Sequence, residues 1–146
     1  MHPLFYSILL TAIQYVLLVC LFLINGLILK DPILIGIQIS GIVLGFWAVY
    51  EMRKSKINIA PNVRKGSILI TSGPYRIVRN PMYVALLFFF LPTLWVNQSF
   101  QNILILSVFI VNLVVKLLYE EKLLHENFDS YELYKEKTWR LIPFIF

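Results

Sequence analysis

Charge is what this chain has least of. Only 14% of its 146 residues are charged, against about a quarter in an ordinary soluble domain. Apolar residues make up 59% and aromatic residues 15%. A mean hydropathy of +0.76 excludes a water-soluble globule, a disordered chain and a basic nucleic-acid module. The one cysteine, Cys20, excludes a disulfide framework, and with His2 and His125 far apart it gives no metal-ligand spacing. Neither GxGxxG nor GxxxxGKS/T occurs, which removes the glycine-rich phosphate loop and the dinucleotide fold. The length leaves room for one domain.

What the chain does have is long uncharged runs, and they predict an all-α, polytopic transmembrane bundle of about four spans. Phe5 to Leu29 is 25 residues without a charge, roughly 37 Å as helix and enough to cross a bilayer core. It lacks the basic flank and small-residue cleavage site of a signal peptide, so it reads as a retained span. Lys30-Asp31-Pro32 is a hinge. Ile33 to Tyr50 is a second run of 18 residues, with Gly36, Ser40, Gly41 and Gly45 placed to let another helix approach closely. Met82 to Val96 is a third, short and interrupted by Pro92. Ile103 to Tyr119 is a fourth, with Lys116 placed to snorkel to the interface.

Residues 51–81 form the loop between the second and third spans, and 120–146 form the tail. Lysine and arginine set orientation. Twelve of the thirteen lie in 51–80 or from Lys116 onward, and none lies in the 97–102 turn. With four crossings, both basic regions share a side. The expectation is a multi-pass protein with both termini and the basic loop in the cytoplasm, and a tail containing an interfacial helix.

Two segments break the apolar pattern in ways that anchoring does not need. In the first, Thr71 to Tyr83, Gly73-Pro74 is a turn. Asn80-Pro81 reads as a helix start, with Asn80 as N-cap and Pro81 at the first helical position. Unpaired N–H groups there, with Arg76 and Arg79 close by, suit a carboxylate or phosphate. An interfacial loop whose arginines meet lipid phosphates would have the same spacing. In the second, Leu117, Glu121, Leu124, Phe128 and Tyr131 fall on one face if the fourth helix continues. Glu121 then sits on the apolar stripe, with Glu120 about 100° round the helix. Such a carboxylate needs a cation or donors. Arg76 or Arg79 could supply them as a structural ion pair, and so could a cationic or hydroxyl-rich ligand. His125 falls four residues after Glu121, in position for an i,i+4 contact.

In this order and separation, the two segments resemble the isoprenylcysteine carboxyl methyltransferase and phospholipid methyltransferase group of integral-membrane enzymes. The residues that carry the resemblance are Gly73-Pro74-Tyr75-Arg76-x-x-Arg79-Asn80-Pro81-Met82-Tyr83, Glu120-Glu121-x-x-Leu124, Phe128-x-x-Tyr131-x-x-Tyr134 and Arg140-x-x-Pro143. Trp47-Ala48, Asn58 to Pro61 and Leu69 to Gly73 look like the bacterial members. The isoprenylcysteine branch usually carries histidine where this chain has Asn80, which can cap and hydrogen-bond but cannot hold a proton charge. The Asn-Pro-Met-Tyr string is nearer the phospholipid branch, although that branch's Gly-x-Gly motif is missing.

The resemblance implies methyl transfer from S-adenosylmethionine, bound at the cytoplasmic membrane face without a Rossmann domain and without a metal. It implies cofactor contacts from Tyr75, Arg79, Asn80, Pro81, Met82 and Tyr83 on one side and from Glu120 and Glu121 on the other, with Tyr131, Tyr134 and Arg140 closing the pocket. It also implies an amphiphilic acceptor drawn from the bilayer and a bacterial inner membrane as the setting. Arg76 or Arg140 would orient a carboxylate acceptor. Glu120 or Glu121 would take the proton of an amine. On this reading, Glu121→Gln and Arg79→Ala weaken cofactor binding and leave the fold intact. Two other classes compete: an NADPH-dependent membrane reductase, because sterol reductases share a similar carboxy-terminal fold, and a non-catalytic scaffold or lipid-binding protein.

Overall fold

The computed structural model describes residues 3–54 and 68–145. Lys56, Arg64, Lys65, the stretch from Asn58 to Pro61 and His2 lie outside the described residues. The described chain is helical, without strands, in the order α1 (Pro3–Asn25), α2 (Pro32–Met52), α3 (Pro81–Phe90), α4 (Thr93–Val96), α5 (Phe100–Asn127) and α6 (Tyr131–Glu136). Three helices, α1, α2 and α5, are long and apolar enough to cross a membrane, and α3 with α4 forms a shorter apolar segment.

Local chemistry explains where each helix stops. The first run was expected to stay helical to Leu29, but α1 ends at Asn25 because Gly26 takes φ +73. That left-handed turn is cheap only for glycine. Asp31 caps α2 by accepting from the backbone N–H groups of Ile33 and Leu34, with Pro32 at the first position. Asn80 and Pro81 start α3 as the spacing predicts. Pro92 interrupts the third segment, since it has no N–H and its ring crowds the preceding turn; α4 then adds one short turn. The Ser99 hydroxyl accepts from the Asn102 N–H and begins α5. At 28 residues, α5 runs about 42 Å, well beyond a hydrocarbon core of about 30 Å. Its acidic last turns therefore fall near or past the end of a span.

The bundle is assembled from two antiparallel pairs, α1 along α5 and α2 along α3. At one end Asn25, Asn97 and Asn102 are joined by hydrogen bonds of 2.7–3.1 Å, tying the end of α1 to the turn before α5. The other end gathers the end of α2, the start of α3 and the acidic part of α5. Between them lies a core of Leu21, Phe90, Leu106, Phe109, Leu113 and Leu117, with Phe22, Phe89, Phe90 and Phe109 in edge or tilted ring contacts at 5.0–5.7 Å.

Gly41 allows the close α2–α3 crossing. A Cβ there would stand 2.8 Å from the Ala85 carbonyl oxygen and 3.2 Å from the Phe89 nitrogen, whereas one at Gly36 would meet nothing within 4 Å. Gly41→Val is expected to destabilise the bundle by about 1–3 kcal/mol through overpacking, and Gly36→Ala to leave it unchanged. Thermal midpoints in detergent check both.

Candidate functional site

The turn before α3 is built around Gly73, at φ +58, where a Cβ would lie 2.6 Å from Glu51 Cγ. Glu51, at the end of α2, accepts from the Ser72 hydroxyl at 2.5 Å and from Lys54 Nζ at 2.7 Å. This contact pins the turn to α2, and a 3-10 turn over Gly73–Arg76 follows. Tyr75 then points inward and is 6% exposed, while Arg76 is exposed. The Tyr75 carbonyl accepts from the Tyr134 hydroxyl at 2.7 Å. The buried Tyr75 hydroxyl has no hydrogen-bond partner among the described residues. Burial first, and then the nearby Glu120 charge, push the Tyr75 phenol up, so it is a neutral O–H group at physiological pH. Burial pushes the Tyr131 and Tyr134 phenols up as well.

The two adjacent glutamates do different work. Glu121 is buried and joins three elements: it accepts from Arg79 Nε at 2.9 Å, Arg140 Nε at 2.8 Å and Asn80 Nδ2 at 3.2 Å. Arg79 Nη1 also donates to the Lys135 carbonyl at 3.1 Å and to the Thr138 carbonyl. The Asn80 side chain makes no capping bond and donates instead to Glu121 and to the Arg140 carbonyl. The Arg79 N–H bonds the Trp139 carbonyl and the Trp139 N–H bonds the Ile77 carbonyl, which lays the tail beside 77–79.

Glu120 faces the other way. Its Oε2 accepts from the Tyr83 hydroxyl at 2.6 Å, and its Oε1 lies 3.7 Å from Lys116 Nζ. Lys116 does not snorkel as its position predicts. It is buried, donates to Gln14 Oε1 of α1 at 3.0 Å and lies over the Tyr83 ring. Two further expectations are corrected. The fourth helix stops at Asn127, with Phe128 extended, so Tyr131 belongs to α6 and not to the α5 stripe. His125 pairs with Glu132, not Glu121, because the turn into α6 brings Glu132 to it.

A cavity of about 650 Å³ opens at this end of the bundle. Tyr75, Arg79, Asn80, Pro81, Met82 and Tyr83 line it from the α3 side, Glu120 from α5 and Tyr134 from α6. Glu121, Tyr131, Arg76 and Arg140 are not in its wall. Gln14 and Lys116, which the sequence reading did not assign, are. Their signal was present: Ser7, Thr11 and Gln14 on α1, and Asn112, Lys116 and Glu120 on α5, are polar residues three or four apart in otherwise apolar helices. Tyr15, Ile42 and Phe46 also line the cavity and are exposed, so it opens sideways between α1 and α2, which make few direct contacts.

A helical membrane bundle with a polar pocket at one end and a lateral apolar opening defines a class, the integral-membrane proteins with a ligand-sized cavity. The family model described as phospholipid methyltransferase matches residues 32–130, more than half of the chain. The chain belongs to that family, one of membrane methyltransferases, and is an integral membrane protein. No curated protein and no solved structure matches it significantly.

Proposed function

We propose that the chain is an S-adenosylmethionine-dependent methyltransferase acting on an amphiphile that enters from the bilayer, an isoprenylcysteine-like carboxylate or a phospholipid amine. The observation that carries this reading is the cavity itself, where the start of α3 and the acidic end of α5 share one wall.

The donor set fits the cofactor. Glu120 and the tyrosine oxygens suit an ammonium, ribose hydroxyls and a sulfonium, and the faces of Tyr75 and Tyr83 suit positive charge. When bound, S-adenosylmethionine supplies a methyl group on an already activated leaving group. What remains for the chain is alignment and exclusion of water. Tyr134, tied to the Tyr75 carbonyl, closes the wall from the tail side. Arg79, through its bonds to Glu121 and the tail, holds that wall in place. Tyr83, Glu120 and Tyr134 would hold the donor, which would supply the methyl group to the acceptor beside it. Glu120 is the carboxylate positioned to receive a proton from an amine acceptor, whereas Arg76 and Arg140 lie outside the cavity wall. The lysine and arginine distribution supports placing this end, and both termini, in the cytoplasm. The resemblance to bacterial members supports a bacterial inner membrane.

In detergent, S-adenosylhomocysteine is expected to raise the thermal midpoint of the purified protein and NADPH to leave it unchanged. Stabilisation by NADPH alone would reverse the assignment in favour of a reductase.

A further inference from the structure

Lys116 is a charged side chain within a membrane-crossing helix, and methyl transfer as described above gives it no task. Ionisable groups at such positions are expensive and are kept where they face a partner or a cavity. Its ammonium has three N–H donors. Gln14 Oε1 takes one at 3.0 Å, while the Glu120 carboxylate stands off at 3.7 Å and makes its short bond to Tyr83. Lys116 is therefore buried, held by Gln14, the Glu120 charge and the Tyr83 ring, and part of the cavity wall, where its remaining N–H donors face the cavity's occupant.

Depth decides what it could hold. The chain of α5 runs toward the site, so the backbone of Lys116 lies about 6 Å, one helical turn, further inside than that of Glu120, with the two charged groups adjacent at 3.7 Å. Further in, the wall is apolar, with Leu18, Phe22, Leu86 and Phe89. The cavity thus offers a paired carboxylate and ammonium beside an apolar slot.

We propose that Lys116, oriented by Gln14, is an anion subsite that takes the phosphate or carboxylate of an amphiphile whose chain lies in the apolar slot. This rests on the reading of the cavity as the acceptor's site. The same chemistry could come from the cofactor's own carboxylate, but a water-soluble molecule has no use for the apolar wall beyond Lys116.

The test measures thermal midpoints in neutral maltoside detergent against dodecyl phosphate, dodecanoate, dodecanol, dodecyltrimethylammonium and S-adenosylhomocysteine. The two anionic amphiphiles should stabilise the protein more than the neutral and cationic ones, and the stronger of the two identifies the headgroup. Lys116→Gln should lower the apparent affinity for the anions by about tenfold or more, the loss of a charged hydrogen bond. Lys116→Arg should restore much of it, with S-adenosylhomocysteine bound as in the parent. Equal stabilisation by dodecanol, or an anion preference that survives Lys116→Gln, would overturn the subsite. A loss confined to S-adenosylhomocysteine would overturn it too and assign Lys116 to the cofactor. Should S-adenosylhomocysteine fail to bind the parent, the methyltransferase reading falls while the alkyl series still reads Lys116. If Lys116→Gln does not fold, the double variant Lys116→Gln/Glu120→Gln is read against Glu120→Gln alone in the alkyl series only, and an anion preference equal in the two would overturn the subsite.

Discussion

Arg79→Ala should cost about 3–5 kcal/mol, because it leaves a buried partner charge without one of its main cations. Both side chains of the Arg79–Glu121 pair are only 8% exposed. The loss extends past the ion pair, since Arg79 also donates to the Lys135 and Thr138 carbonyls. The expected signs are a much lower thermal midpoint and protease cleavage within 131–145 under conditions where the parent resists. Arg79→Lys should rescue poorly, because one compact ammonium cannot reproduce a planar fork bonding a carboxylate and carbonyls together. Glu121→Gln should share the phenotype in milder form: an amide still offers an oxygen to Arg79, Arg140 or Asn80 but no charge. The geometry thus adds a cost to the fold beside the weaker cofactor binding that the resemblance implies for these variants. An Arg79→Ala protein with an unchanged midpoint and a protected tail would remove the clamp.

Glu120→Gln should behave in the opposite way. The Glu120 carboxylate faces the cavity and binds Tyr83 and Lys116, not the tail. Its neutral variant should keep the tail protected while methyl transfer to an amine acceptor falls by about 10²-fold or more, the usual scale of a lost general base. Tyr83→Phe should cost about tenfold, through the loss of a hydrogen bond to a charged group. Radiolabelled methyl transfer to native membrane lipids and peptides reads both variants. Full turnover in Glu120→Gln would take the proton-accepting role away from this carboxylate.

The contrast between two neighbouring glutamates shows how far the chain could be read in advance. Adjacent residues on a helix differ by about 100° in direction, so the spacing marks them as facing apart without saying what each faces. Glu121 falls on the apolar stripe and needs a cation, and that much was legible. Which cation it meets depends on the tail folding back so that Arg140, more than a dozen residues later, joins Arg79 on the same carboxylate. His125 is the complementary case. Glu121 stands four residues before it in helical spacing, yet α5 ends two residues after His125 and the turn into α6 supplies Glu132 instead. Lys116 departs from its expected place for a related reason. A lysine near a helix end snorkels by default, and only α1 packed alongside, with Gln14 at the right height, keeps it inside.

The sequence by itself determined the helical membrane class, the start of α3 and the family, because these follow from uncharged runs, from Asn80-Pro81 and from an ordered set of motifs. Tertiary structure alone decided which side of each helix meets the cavity and which polar groups find one another. A helix displays residues in every direction, and only the packing of its neighbours makes one of those directions a protein wall, another a lipid face and a third a pocket.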